Sequence, residues 1–361
     1  MGKIITKNGL FSFEEIKNSI LSLTTDYESD SVRFCHDWLN GKESFTLFTS
    51  GSTGIPKSIT LSRKQMEASA LCTTAALDLK TSDTALVCLN TKYIAGIMML
   101  VRAMVVNMDI ILLAPGSAPL REIPENVRPD FIALVPLQLE TILEENNAKE
   151  LAVLNSMKAI IIGGAAISSR LEAKLQQLSS AVFSTYGMTE TVSHVALRRL
   201  NGKEKQDYYQ ALPGISLDTD DRGCLKIKAD VTDQQWLQTN DLVELFDKTK
   251  FRWLGRTDTI INSGGVKIQP EKIEKLIEDV LSNNKIEHYF ITGLPHPTLG
   301  EAVTLFIEQL ETPDISMPEK IRPLLDKYEQ PKAIIPMIYF PRTLTGKIDR
   351  KKIIELHKNY F

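Results

Sequence analysis

A run rich in glycine and hydroxyl groups, Thr49-Ser-Gly-Ser-Thr-Gly-Ile-Pro-Lys57, is the stretch of this chain best suited to binding a polyphosphate. Glycines let a backbone approach a ligand closely and present its N–H groups to it. The hydroxyls add hydrogen-bond donors, and Lys57 adds a positive charge. The residues that would contact phosphate are Thr49, Ser50, Gly51, Ser52, Thr53, Gly54 and Lys57.

The same run is a near miss of the Walker A motif, G-x-x-x-x-G-K-[ST]. Pro56 stands where the second glycine is required, and proline has no N–H and a fixed φ. A P-loop NTPase is therefore disfavoured. The simpler alternative is a Gly/Ser surface loop between two short strands.

Four stretches further along the chain also suit a nucleotide site, although each alone is more often a turn, a salt-bridge partner or a solvated surface charge. They are Ile162-Gly-Gly-Ala-Ala166; Thr185-Tyr-Gly-Met-Thr-Glu190; Thr239-Asn-Asp241 with Gly255-Arg-Thr-Asp258 and Ile261-Asn-Ser-Gly-Gly-Val-Lys-Ile268; and Pro341-Arg-Thr-Leu-Thr-Gly-Lys-Ile-Asp-Arg350. A carboxylate such as Glu190 can hold Mg²⁺ beside phosphates. Asp241, at a strand end, can accept both hydroxyls of a ribose, and Arg256 can reach phosphate in a forked geometry.

The elements that must position these motifs alternate along the chain. Short apolar strands and helices follow one another up to Gly187, which predicts an α/β fold with a doubly wound, mostly parallel sheet. Ligands bind at the carboxyl ends of strands in such sheets. A meander of shorter strands follows Gly187, and a small α+β domain comes last. We therefore predict a large domain over residues 1–257 and a small, mobile one over 258–361. Before the glycine-rich run, only a helix around Phe13–Leu23 is predicted.

Composition excludes several classes of protein. The chain has 361 residues, a net charge of -3 and no basic cluster, so a nucleic-acid partner is not expected. Its most apolar stretch, Tyr93 to Val106, is interrupted by Arg102 and is too short for a bilayer, so no membrane partner is expected either. Four scattered cysteines and the lack of a signal segment favour a reducing cytoplasm.

Together and in this order, the five motifs resemble the acyl-adenylate-forming family, which includes acyl-CoA synthetases, firefly luciferase and the adenylation domains of peptide synthetases. The resemblance runs from about Phe45 to the C-terminus. It implies an ATP-dependent acid–thiol ligase that uses Mg²⁺. Such an enzyme converts a small-molecule carboxylic acid to its acyl-AMP, releases pyrophosphate and transfers the acyl group to coenzyme A. A homodimer is left open.

The resemblance also implies a role for each matching position. The Thr49–Lys57 loop would hold the β- and γ-phosphates. The walls around adenine and the acyl group would be Gly163, Gly164, Ala165, Thr185, Tyr186 and Gly187. The catalytic group would comprise Thr189 at the α-phosphate, Glu190 on Mg²⁺ and Lys347, which drives adenylation. Asp241 and Arg256 would bind ribose and phosphate, and Asp258 would be the hinge. The loop for the coenzyme A step would contain Ser263, Gly264, Gly265 and Lys267.

Within the family, the short chain and Thr189–Ser193 resemble the o-succinylbenzoate–CoA ligases of menaquinone synthesis. Those enzymes usually carry His-Ile-Ser-Gly where this chain has Tyr93 to Gly96. Ser193 and His194 could meet a second carboxylate or an aromatic ring, with an ordinary helix-surface histidine as the alternative for His194. Another acyl-CoA synthetase, a stand-alone enzyme that loads a carrier protein, and a non-enzymatic acyl- or nucleotide-binding relative remain open.

Three departures from the family pattern stand out. Ser58 replaces the glycine that usually follows the Pro-Lys pair, and Asn240 replaces the glycine before the ribose aspartate. Only 48 residues precede Thr49. This N-terminal part is far shorter than in typical members, so a shortened or missing N-terminal subdomain is expected.

Overall fold

The computed structural model describes residues 2–49, 57–124, 126–309, 317–342 and 348–361. Its strands, in chain order, are β1 (Lys3–Thr6), β2 (Gly9–Ser12), β3 (Ser44–Thr49), β4 (Lys57–Ser62), β5 (Thr84–Val87), β6 (Asp109–Leu112), β7 (Phe131–Leu134), β8 (Ala159–Ile162), β9 (Ala181–Gly187), β10 (His194–Arg199), β11 (Tyr209–Ala211), β12 (Ser216–Thr219), β13 (Cys224–Lys228), β14 (Leu237–Asp247), β15 (Lys250–Arg256), β16 (Ile261–Ser263), β17 (Val266–Ile268), β18 (Tyr289–His296), β19 (Gly300–Glu308) and β20 (Ala333–Met337). Its α-helices are α1 (Phe13–Asn18), α2 (Asp26–Leu39), α3 (Arg63–Ala76), α4 (Ile94–Val105), α5 (Pro136–Glu145), α6 (Ala148–Ser156), α7 (Ser169–Lys174), α8 (Pro270–Asn283), α9 (Met317–Ile321) and α10 (Arg350–His357).

The large sheet combines a parallel centre with antiparallel flanks. Six strands pair in parallel in the order β9-β8-β7-β5-β6-β1. An antiparallel β2 extends one edge, and the order β10-β11-β15-β14-β13-β12 extends the other. The predicted α/β fold is confirmed, and the predicted meander continues the same sheet.

The parallel strands are buried on both faces, as their continuous apolar sequences require. In β7, Phe131 and Ala133 pack into one core cluster, which also contains residues of α3 and α4. The intervening Ile132 and Leu134 pack into a second cluster, with residues of α5 and α7. Helices therefore cover both faces of the sheet, which is the doubly wound arrangement.

The N-terminal residues differ from the predicted helix around Phe13–Leu23. They form the β1–β2 hairpin, and the helix that follows, α1, ends at Asn18. The Asn8-Gly9 pair is a hairpin signal that sequence reasoning missed. The β1 strand completes the parallel part of the sheet, and Val32 and Trp38 of α2 enter its core. These elements occupy the part of the chain where a shortened subdomain was expected.

A smaller sheet of five strands follows, counted over the residues that the structure describes. Its order is β17-β16-β19-β18, and β20 pairs with β19 in parallel. The α8 helix buries Ile273, Ile277 and Leu281 against it. Glu278 of the same helix reaches the start of α7, where it accepts hydrogen bonds from the Ser169 backbone N–H at 2.6 Å and the Ser169 hydroxyl at 2.5 Å.

The described helices include none with both the length and the apolar character that a membrane crossing requires.

Candidate functional site

The predicted adenine and acyl walls lie on two adjacent parallel strands, β8 and β9. Gly163 directly follows β8, and a Cβ atom at this position would lie 2.4 Å from Thr185 Oγ1. The Thr185 hydroxyl itself donates to the Ile162 carbonyl at 3.1 Å. Only a glycine therefore fits beside Thr185. Gly164 adopts a φ of +87°, which also suits glycine, and it leads into the exposed Ala165.

Asp241 is the centre of a buried hydrogen-bond cluster. Its Oδ2 accepts from the Tyr186 hydroxyl at 2.7 Å, and its Oδ1 accepts from Trp253 Nε1 at 3.2 Å and Arg256 Nη1 at 3.4 Å. The carboxylate oxygens offer about four lone-pair directions, and these contacts use three, so two ribose hydroxyls could both bind only if the long contact from Arg256 is released. Burial and the Asp241 charge raise the pKa of Tyr186, so its hydroxyl stays protonated as a donor.

One sequence expectation is corrected at this cluster, and one residue of the cluster was missed. Asp241 lies within β14, opposite Arg256 on β15, and not at a strand end. The residue is 5% exposed, so an interior strand position presents the carboxylate as a fixed group. Trp253 was not singled out from the sequence, because a lone tryptophan in a strand carries no motif.

Arg256 is engaged by the proposed hinge residue. Its Nε and Nη2 donate to the two carboxylate oxygens of Asp258, each at 2.8 Å. This forked hydrogen bond lowers the pKa of Asp258 and raises that of Arg256. This forked bond occupies two of the N–H groups with which Arg256 could bind a phosphate. The pair therefore links a predicted ligand contact to the predicted hinge.

Asp241→Asn should raise the KM for ATP by about tenfold, because it replaces a carboxylate acceptor of two ribose hydroxyls with an amide that has one acceptor oxygen. The measurement is ATP-dependent pyrophosphate exchange at saturating acid. Asp218→Asn, an exposed carboxylate on β12, is the matched control and should leave the KM for ATP unchanged. An unaltered KM in Asp241→Asn would remove this residue from the nucleotide site.

A strained turn follows Glu190. Thr189–Thr191 form one 3-10 turn, and Val192 then adopts a φ of +66° and a ψ of -56°. The Ser193 N–H donates to the Thr191 carbonyl at 2.7 Å across it. This is the rare form of γ-turn, and a β-branched residue pays strain there of about 1–3 kcal/mol. Glu190 lies exposed before this turn, and the chain after it enters the protein interior at His194.

The exposed Glu190 carboxylate fits a single ligand of a Mg²⁺ ion that is held mainly by phosphates and water. Over the described ranges, no three side chains of His, Cys, Asp or Glu converge as a preformed metal site. A Mg²⁺ ion would therefore depend on the nucleotide for its other ligands.

Arg102 is the strongest feature that sequence reasoning missed. It lies on α4, is 2% exposed and donates from Nη2 to Ser193 Oγ at 2.5 Å, with His194 Nδ1 at 3.4 Å. Its Nε is buried without a hydrogen-bond partner, and no carboxylate forms an ion pair with it in the part of the chain that the structure describes. Burial lowers the pKa of its guanidinium to about 9. The sequence signal that could have identified Arg102 is a charged residue inside an otherwise apolar helix.

His194 is a buried strand residue, so the alternative of a helix-surface histidine is wrong. It lies on β10, is 7% exposed and contacts Thr73 Oγ1 through Nε2 at 3.0 Å. Burial and the neighbouring Arg102 charge lower the pKa of His194 well below its usual range. The ring is therefore neutral at physiological pH.

Tyr93 and Gly96 lie at the start of the helix that carries Arg102. Tyr93 is the exposed residue that precedes α4. A Cβ atom at Gly96 would lie 2.6 Å from the Asn90 carbonyl oxygen, so this glycine permits close packing of the helix on the preceding backbone. Gly187 is similar, since its Cβ would lie 2.4 Å from the Ser193 carbonyl oxygen. Both glycines therefore keep the elements around Ser193 and His194 close together.

Comparison with known proteins identifies the chain at the level of the family. Residues 28–221, more than half of the chain, match the family of AMP-binding enzymes. An acyl-CoA synthetase (AMP-forming)/AMP-acid ligase II-like protein from Dyadobacter fermentans is 40% identical, with a TM-score of 0.64 over 95% of this chain and 97% of that one.

This chain belongs to the AMP-binding enzyme family. The predicted resemblance to acyl-adenylate-forming enzymes is confirmed, and so is the prediction of an enzyme of the AMP-forming ligase type.

More distant relatives agree with this assignment. A 2-succinylbenzoate–CoA ligase from Bacillus cytotoxicus is 24% identical over 96% of this chain and 75% of its own length. The o-succinylbenzoate CoA synthetase from Bacillus subtilis, solved with its acyl-adenylate intermediate, has a TM-score of 0.72 at 21% identity, over 85% of this chain and 68% of that one. At this identity, the structural likeness shows the fold.

Some predicted family residues cannot be placed. Ser50, Gly51, Ser52, Thr53, Gly54 and Lys347 lie outside the described residues. The backbones of Thr49 and Lys57 pair with each other at the ends of β3 and β4. The predicted coenzyme A loop, with Ser263, Gly264, Gly265 and Lys267, forms the β16–β17 hairpin of the smaller sheet.

Proposed function

We propose that this family member is an ATP-dependent acid–CoA ligase whose acid carries a second carboxylate, and that the acid is o-succinylbenzoate. The observation that carries the proposal is Arg102, a buried cation without a carboxylate partner among the described residues. It lies against Ser193 and His194, directly after the predicted catalytic residues Thr189 and Glu190.

An isolated buried charge is costly unless an opposite charge or several hydrogen bonds offset it. The neutral Ser193 and His194 give Arg102 hydrogen bonds without cancelling its charge. A carboxylate of the substrate would supply the missing anion and a bond for Nε. Of the two carboxylates of o-succinylbenzoate, one becomes the mixed anhydride and the other stays charged. The names of the curated relatives agree with this acid.

The reaction has two steps at one place. In the first, a carboxylate oxygen of the acid bonds to the α-phosphorus of ATP while the bond to the bridging oxygen of pyrophosphate breaks. In the second, the sulfur of coenzyme A bonds to the acyl carbonyl carbon, its proton is lost and AMP leaves. A Mg²⁺ ion would neutralise phosphate charge when it is bound.

Different residues of the chain would serve different parts of these two steps. Asp241 and Arg256 bind the ribose and phosphate, Thr189 contacts the α-phosphate, and Lys347 offsets the negative charge that builds up there. Electrostatic groups of this kind commonly contribute several kcal/mol to catalysis. Residues 258–361 would reorient about Asp258 between the steps and bring the Ser263–Lys267 loop to the thioester reaction. The scattered cysteines make the cytoplasm the expected location, which stays a prediction.

A panel of acids tests the function. With MgATP and coenzyme A, o-succinylbenzoate should give its thioester faster than palmitate, acetate or benzoate. Its thioester should also form faster than that of 4-oxo-4-phenylbutanoate or 2-butanoylbenzoate, which each lack one of its two carboxylates. Pyrophosphate exchange without coenzyme A reports the first step alone. A preference for palmitate or an amino acid would refute the substrate. Pyrophosphate exchange without a CoA thioester would point to a carrier-protein thiol.

A further inference from the structure

A chain of polar contacts connects α3 to Arg102 through the protein interior. The Thr73 hydroxyl donates to the Ser69 carbonyl at 3.1 Å, within α3. Thr73 Oγ1 lies 3.0 Å from His194 Nε2, and His194 Nδ1 lies 3.4 Å from Arg102 Nη2. Thr73 is 0% exposed, so water cannot replace its contact with the ring.

These contacts determine which ring nitrogen of His194 carries the proton. The single hydroxyl proton of Thr73 points to the Ser69 carbonyl, so the Thr73 oxygen accepts from Nε2–H. Nδ1 then has a lone pair that faces both the guanidinium N–H of Arg102 and the Ser193 hydroxyl, each at 3.4 Å. The other tautomer would set a ring N–H against the guanidinium N–H and would leave Nε2 without the Thr73 proton, which is already donated to the Ser69 carbonyl.

The hydrogen-bond acceptors on one side of the Arg102 guanidinium are therefore all neutral. Nη2 lies between Ser193 Oγ and His194 Nδ1, while Nε has no partner in the described ranges. An acidic residue in place of His194 would orient Arg102 equally well but would cancel its charge. A neutral histidine with a defined tautomer fixes the direction of the guanidinium and leaves the charge for a ligand.

We propose that Thr73 is a positioning residue for substrate selection: through the tautomer of His194, it orients Arg102 toward the second carboxylate of the acid. The inference rests on the proposed function for the identity of the ligand. It adds a residue of α3, remote in sequence from every motif, to the determinants of acid specificity. Thr73 itself does not touch the substrate.

The kinetic test compares two substitutions. Thr73→Val removes the hydroxyl and nearly preserves the shape, whereas Thr73→Ser keeps the hydroxyl. Thr73→Val should raise the KM for o-succinylbenzoate by about tenfold, the effect of one hydrogen bond, and should lower by the same factor its preference over the monocarboxylic analogue that keeps the reacting carboxylate. Thr73→Ser should restore both values to near wild type, and the KM for ATP should not change in either variant. Equal KM values for the acid in Thr73→Val and Thr73→Ser would overturn the proposal.

A second measurement does not depend on the substrate. Long-range ¹H–¹⁵N spectra of the histidine-labelled protein separate the two tautomers, and the chain has five histidines, so His194→Gln assigns the signal. Wild type should carry its proton on Nε2, and Thr73→Val should shift the signal toward the other tautomer. A proton on Nδ1 of His194 in the wild-type protein would overturn the proposed link from Thr73 to Arg102. A wild-type preference for a monocarboxylic acid would instead refute the proposed substrate and leave the tautomer result standing.

Discussion

Replacing Arg102 with methionine should lower kcat/KM for o-succinylbenzoate by roughly two to three orders of magnitude. Loss of one partner of a buried, hydrogen-bonded charge pair commonly costs about 2–5 kcal/mol, which corresponds to that range. The monocarboxylic analogue that keeps only the reacting carboxylate brings no second charge to this position, so its kcat/KM should change little. Selectivity between the dicarboxylate and this analogue should therefore collapse in steady-state thioester assays.

The same substitution should stabilise the ligand-free protein. Methionine fills a similar volume, and it removes a buried charge that has no ion-pair partner among the described residues. The midpoint of urea unfolding should therefore rise while activity falls. Arg199→Met is the matched control, since Arg199 lies on the same β10 strand as His194 and donates to the Asn201 carbonyl at 3.0 Å. It should leave acid selectivity intact.

The pH dependence has a definite sign. The charged guanidinium binds the anion, and burial lowers the pKa of Arg102 to about 9. The value of kcat/KM for the dicarboxylate, which reports ionisations of the free enzyme, should therefore fall as pH rises through about 9. Arg102→Met should lack this alkaline limb. An Arg102→Met variant with wild-type selectivity would place the second carboxylate elsewhere.

Lys347→Ala should abolish formation of the acyl-adenylate, by about two or more orders of magnitude if the lysine contributes a few kcal/mol at the α-phosphate. The thioester step needs no positive charge there, because AMP is already a good leaving group. The variant should therefore still convert supplied acyl-adenylate and coenzyme A to the thioester at a near-normal rate. Single-turnover assays of each half-reaction separate the two effects.

Lys351→Ala is the matched control for Lys347→Ala. Lys351 lies nearby in the chain, on the exposed side of α10, and its loss should leave both half-reactions near wild type. Equal loss of both half-reactions in Lys347→Ala, in a protein that unfolds at the normal urea concentration, would show that the lysine does not act on one step alone. The two-pose mechanism would then lose its main support.

The parallel strands could be predicted from the sequence because each is a short, continuous apolar run, and strands buried on both faces read in this way. The capping box of Ser62 and Gln65 that begins α3 is a local signal of the same kind. The N-terminal hairpin was not predicted, because its strands are four residues each and only β1 pairs with the rest of the sheet, through β6 far along the chain.

Some residues of the candidate site could likewise be predicted from the sequence, and others could not. Glycines that allow close backbone approach and an ordered series of motifs are local signals, so Gly163, Asp241 and Glu190 could be singled out. Arg102, Trp253 and Thr73 acquire their roles only through partners between 12 and 121 residues away. No window of sequence contains both members of such a pair. For this reason, the residues that form the motifs could be predicted from the sequence. The long-range contacts of Arg102, Trp253 and Thr73 could not.

The position of β1 has a consequence for synthesis of the protein. Ile4 pairs with Ile110 of β6, so β1 must wait for a strand that is made much later. At about 5–20 residues per second, the ribosome takes roughly 5–20 s to supply that partner. A two-stranded hairpin is only marginally stable alone, and during this interval its apolar strand offers an unpaired edge to other nascent chains. Recombinant yield should therefore depend on chaperone supply early in translation, before the predicted catalytic residues Thr189, Glu190 and Lys347 have been made.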